Sequence, residues 1–178
     1  MKQLKHYTII GILFVLVSGS LAHFFYEWSG HNPIVGLFTP VNESIWEHMK
    51  LLFFPMLAYS FFMVFKLKAD YPCIHSALCF GILAGTLCIP ILFYTYTALL
   101  GKDIFILDIV IFIFSIIITF CLACQLAMSC KSAPYSFLSG LLVCFLLICF
   151  LIFTYHPPTA ALFQAPTVSK SGFFRKPF

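Results

Sequence analysis

His23, Glu27, Glu43, Glu47 and His48 bring two imidazoles and three carboxylates into one short stretch of a chain that has six acidic residues in all. Imidazole and carboxylate are the ligands of zinc and similar divalent metals, and a glutamate left off the metal can serve as base for a water. The same groups in a partly dry cleft can carry protons or hold a cation. Each charge costs about 2.5–3.5 kcal/mol at the centre of a bilayer and less at its edge. Only 9% of the residues are charged, yet half of the acids stand beside a membrane-length apolar run, so a use for them is expected. Spacing brings them together. Ser20, His23 and Glu27 recur at i, i+3 and i+7 on one stripe of a first helix. Glu43, Glu47 and Lys50 form the matching stripe of a second, with Ser44 and His48 beside it. The short connection 29–36 makes these helices antiparallel neighbours. His23, Glu27, Glu43 and Glu47 then converge, and His48 and His156 complete the set. The expected roles are Glu27, Glu43 and Glu47 as catalytic carboxylates and His23, His48 and His156 as metal ligands. The chain contains no HExxH motif, so the metal reading rests on this convergence.

The elements that must position these groups are membrane helices. The chain is 62% apolar, too rich in apolar side chains for a water-soluble domain of 178 residues. The expected fold is all-α, a single domain built as an integral membrane bundle of five transmembrane helices at about 7–28, 39–67, 71–96, 104–129 and 134–155. A tail, 156–178, is expected to leave the membrane at His156-Pro157-Pro158 and to be either interfacial or flexible. Thr39 reads as the N-cap of the second helix with Pro40 in its first turn, and Pro55 and Pro90 read as kinks. Lys2, Lys5 and the run Tyr7–Val17 also match a signal peptide. His23 and Glu27 continue the helical periodicity beyond that run and favour a full span.

Lys2, Lys5, Lys66, Lys68 and Lys131 outnumber Lys50 and Lys102 across the membrane, which places the N-terminus in the cytoplasm. The polar cluster then lies on the outer face, joined by Tyr94, Tyr96, Asp103 and Asp108. Asp108 is an outlier inside the fourth helix. The net charge of +4 comes from lysines at helix ends and does not indicate nucleic acid. The eight cysteines lie in or beside apolar runs and read as small packing residues; Cys121 and Cys124 form a CxxC pair without the βαβ context of a redox site. A structural role is the competing reading of the cluster. Trp28 and Trp46 would mark the headgroup belt, Glu43 would favour a helix N-terminus, and Glu47 with Lys50 would form a surface ion pair.

The runs His23-Phe24-Phe25-Tyr26-Glu27-Trp28-Ser29-Gly30, Asn32-Pro33-Ile34-Val35-Gly36 and Pro40-Val41-Asn42-Glu43-Ser44-Ile45-Trp46-Glu47-His48-Met49-Lys50-Leu51 resemble a family of small bacterial integral membrane proteins catalogued as a domain of unknown function. The resemblance is close over the first two helices and extends to the Pro-Pro exit after the fifth. It implies a bacterial plasma-membrane protein and carries no catalytic role. The residues themselves lead to three expectations. The first is a hydrolase that uses a divalent metal such as zinc on a lipid-like substrate at the bilayer. The second is a small ion- or proton-coupled transporter, against which the apolar inner halves of helices three to five weigh. The third is a membrane scaffold or accessory subunit.

Overall fold

The computed structural model describes residues 2–165, and no strand occurs among them. The chain runs α1 (Lys2–Trp28), α2 (Pro33–Phe38), α3 (Ile45–Leu67), α4 (Ile74–Leu100), α5 (Phe105–Ser129) and α6 (Ser136–Phe153). Short 3₁₀ turns stand at Ala133–Tyr135 and Ala161–Phe163. Among the described residues, α1, α3, α4, α5 and Ala133–Phe153, which comprises the first 3₁₀ turn and α6, are the five helices long and apolar enough to cross a membrane. They form the membrane bundle. The expected interfacial or flexible placement of the tail beyond residue 165 falls outside the described residues.

α4 is the hub, packed on α3, α5 and α6, while α1 lies between α3 and α5. Small residues permit the closest approaches. A Cβ on Gly81 would meet the backbone oxygen of Thr119, and one on Gly85 would meet Thr119 and the Ser115 carbonyl. This is the small-residue seam by which membrane helices gain van der Waals contact without help from water. Gly19 of α1 packs in the same way on the Leu51 carbonyl and the Phe112 ring. Leu51 is four residues before Pro55, whose missing N–H leaves that carbonyl without a helical donor. α3 continues through Pro55, as α4 does through Pro90.

Three local readings are corrected. The second long helix begins at Ile45, not Thr39. Pro33–Phe38 forms its own helix, with Asn32 as N-cap and Thr39 as its C-cap. The Thr39 N–H and hydroxyl both donate back to the Val35 carbonyl, so Thr39 ends a helix. Ser44 starts the next one, its Oγ accepting from the Glu47 N–H at 3.3 Å. Trp46 is not a belt residue. It is 6% exposed and packs on Phe150, Phe153 and Phe163, whereas Trp28 is exposed. Cys73 and Cys130 are not merely packing residues: their sulfurs lie in disulfide contact, joining the start of α4 to the end of α5. Both sit at helix ends on one face, where the antiparallel α4 and α5 bring them together.

Candidate metal centre at one end of the bundle

The end of α1, the start of α3, the end of α4 and the start of α5 share the face opposite the N-terminus. α1 stops there at Gly30 and His31, both in the left-handed region with φ of 67° and 62°. Between Thr39 and Ser44 the chain is extended or turned, and the Asn42 side chain holds it by accepting from the Ser44 N–H at 2.9 Å. Glu43 therefore projects from a loop rather than from the α3 stripe that its spacing suggested.

That loop carries Glu43 across the two imidazoles. The Glu43 Oε2 lies 3.4 Å from the His48 Nε2 and 3.8 Å from the His23 Nε2. The rings stand edge to face with centroids 5.3 Å apart. One ligand atom from each of His23, Glu43 and His48 falls within 4.8 Å of the other two. A tetrahedral zinc with bonds of about 2.0–2.1 Å separates its ligand atoms by about 3.3 Å, so the set closes with a contraction of about 1.5 Å at most.

The His48 ring is oriented for this. Its Nδ1 is 2.9 Å from the Ser44 carbonyl oxygen. A carbonyl can only accept, so Nδ1 carries a proton, and Nε2, turned to Glu43, is the atom that would offer its lone pair to a metal in place of a proton. A backbone carbonyl behind a histidine is the support that metal-bound imidazoles usually have. Ser44 thus caps α3 with its side chain and fixes His48 with its carbonyl. The centre is open to its surroundings: the His23, His48 and Glu43 side chains are 32%, 28% and 69% exposed.

The other expected site residues are placed differently. Glu47 and Lys50 form an ion pair as the competing reading held, but not on the surface. The two side chains are 2% and 0% exposed, with Nζ and Oε2 2.8 Å apart. Lys50 also donates to the Gly36 carbonyl at 3.1 Å and to the Thr154 hydroxyl at 2.6 Å. Glu47 accepts from the Val41 N–H at 3.0 Å. This pair ties α2, α3 and the end of α6 together beneath the site. Tyr155 adds an outer tie, its hydroxyl donating to the Pro33 carbonyl at 2.6 Å; partial burial raises its pKa and keeps it a donor. Glu27 is exposed one turn beyond His23, and neither it nor the exposed His156 joins the three-residue cluster. Sequence reasoning left Asp108 unassigned. It accepts from the Tyr96 hydroxyl at 2.6 Å, in the first turn of α5 at this end of the bundle.

Fold and site together define a polytopic α-helical membrane protein with a polar His/Glu centre at one end of its bundle. The chain belongs to a family of unknown function, DUF6512, whose model matches residues 1–173. No curated protein and no solved structure matches it.

Proposed function

We propose that the protein binds a divalent metal, zinc foremost, through His23, Glu43 and His48, and uses it to hydrolyse a lipid-like substrate at the outer face of the plasma membrane. The observation that carries this reading is the convergence of both Nε2 atoms on one Glu43 oxygen, with His48 fixed from behind by Ser44. Two histidines and one glutamate form a three-ligand set of the catalytic type, which leaves a fourth position for water or substrate. Water would add across an ester or amide carbonyl bond and release an acid with an alcohol or amine. Phe24, Phe25 and Trp28 are exposed on the same end of α1, so an amphiphile can approach the centre from the bilayer with its head at the metal. The outer placement follows from the lysine bias.

Elemental analysis of the untagged, detergent-purified protein tests the reading. About one zinc or similar ion per chain is expected, lost in His48→Ala and in Glu43→Ala. Protein that stays metal-free after incubation with zinc and with manganese would rule the metal centre out. If metal binds, release of fatty acid or head group from a panel of lipid esters and amides tests the hydrolase step. Turnover that persists in His48→Ala would place the chemistry elsewhere.

A further inference from the structure

We infer that Asp108, held by Tyr96, is a positioning carboxylate of this centre: it stands outside the ligand set and balances the charge of the bound cation. The inference rests on the metal reading of His23, Glu43 and His48, and adds a third transmembrane helix to it.

The helix packing brings Asp108 there. Gly19 of α1, Leu51 of α3 and Phe112 of α5 meet at one level of the bundle. One turn further toward the site face stand His23 on α1, His48 on α3 and Asp108 on α5, at offsets of three or four residues along each helix. Asp108 is half-buried. It falls outside the group of atoms close enough to share a metal.

Charge and hydrogen bonding supply the reason for it. Two neutral imidazoles and one glutamate leave a dication with a surplus positive charge at the edge of hydrocarbon, where screening is weaker than in bulk water. A second carboxylate nearby removes that surplus. Asp108 lies in the first turn of α5, where the helix dipole favours an acid, but the dipole alone does not account for Tyr96. That hydroxyl comes from α4, donates to Asp108 Oδ1 at 2.6 Å and accepts from the Ile104 N–H at 3.2 Å. A neutral donor thus fixes the carboxylate without cancelling its charge. Groups hydrogen-bonded to a metal's ligands typically change affinity by ~10–100-fold; Asp108 acts by charge without such a bond, which puts its effect at the low end of that range.

The test is a zinc titration of the detergent-purified protein against a chromophoric chelator, with the cobalt(II) absorption spectrum as a second readout. Asp108→Asn is expected to weaken zinc binding ~10-fold while the cobalt bands keep their positions, because the ligands are unchanged. Asp108→Glu is expected to restore most of the affinity. Tyr96→Phe removes the hydroxyl that holds Asp108 but leaves the charge, and is expected to weaken binding by a smaller factor. It also keeps the test available if Asp108→Asn fails to fold. Zinc affinity unchanged in Asp108→Asn, or in Tyr96→Phe where Asp108→Asn does not fold, would reduce Asp108 to a helix-terminal acid. Displaced cobalt bands would make it a direct ligand, against the inference. If the wild-type chain takes up no zinc at all, the metal reading itself fails and this inference with it.

Discussion

The Lys50 ammonium has an acceptor for each of its three protons, on α2, on α3 and at the end of α6. Satisfaction of this kind lets a charge persist where its side chain is fully buried. Removing one partner leaves the other charge buried without its counterpart, at a cost of about 3–5 kcal/mol. Glu47→Gln and Lys50→Met are therefore each expected to lower the detergent-solubilised Tm sharply. The double variant Glu47→Leu/Lys50→Met is expected to recover much of the loss, since well-packed apolar replacements of such pairs are often neutral. A Lys50→Met protein that melts with the wild type would show that the pair does not hold the site face together. The residue types of the site were legible in the sequence, because six acids in so apolar a chain make every carboxylate conspicuous. Their division of labour was not. Glu43 and Glu47 are spaced as members of one helical stripe, yet one faces two imidazoles from a loop and the other is locked to a lysine. Periodicity cannot separate them, since the difference arises from where the helix starts.

That start is a property of the element, and the local signal for it was present. Ser44-Ile45-Trp46-Glu47 has the Ser-x-x-Glu form of a capping box, but Thr39-Pro40 offers an equally ordinary Thr-Pro beginning upstream. The tertiary fold decides between them by folding 33–38 into a separate helix whose Val35 carbonyl accepts both Thr39 donors. Glu47 does not complete the box, because its carboxylate serves Lys50 and Val41. Ser44→Ala is expected to cost about 1 kcal/mol through the lost cap. It should leave zinc binding nearly intact, since the Ser44 carbonyl that orients His48 remains; loss of metal in this variant would show that the cap itself positions the centre. The spans were legible because a run of about 20 apolar residues matches the thickness of a bilayer core and is too long for most buried helices of a soluble domain. Their packing was not, because a lipid-facing leucine and a core leucine look alike in sequence. Gly85 shows what decides it. A methyl group there collides with Thr119 and with the Ser115 carbonyl, and backbone cannot rotate away as a side chain can. Gly85→Ala is expected to destabilise the bundle by about 1–3 kcal/mol, visible as a lower Tm and a lower yield of folded protein. Tolerance of alanine at this position would mean that α4 and α5 sit further apart than the seam requires.

For the whole molecule, two arguments about sidedness meet on the face that carries the N-terminus. Lys2, Lys5, Lys66, Lys68 and Lys131 gather there, and the positive bias assigns that face to the cytoplasm. The Cys73–Cys130 link lies on the same face, and disulfides persist mainly in oxidising compartments. Five spans place the end of α6 on the opposite side, so a single experiment on the C-terminus separates the two. A C-terminal alkaline phosphatase fusion is expected to be active and the corresponding green fluorescent protein fusion dark, which puts His23, Glu43 and His48 outside. In that orientation, cytosolic reductants are expected to keep Cys73 and Cys130 as thiols in growing cells. Both would then react with a maleimide applied after acid quenching, and would be protected once the cells are treated with diamide. Ser76 and Ser132 keep the same two segments joined by a buried hydrogen bond of 2.9 Å, so the bundle is expected to survive loss of the covalent link. A fluorescent C-terminal fusion together with an intact disulfide in untreated cells would reverse the orientation. It would move the proposed metal centre to the cytoplasmic leaflet, and a lipid-like substrate would then have to be sought on that side.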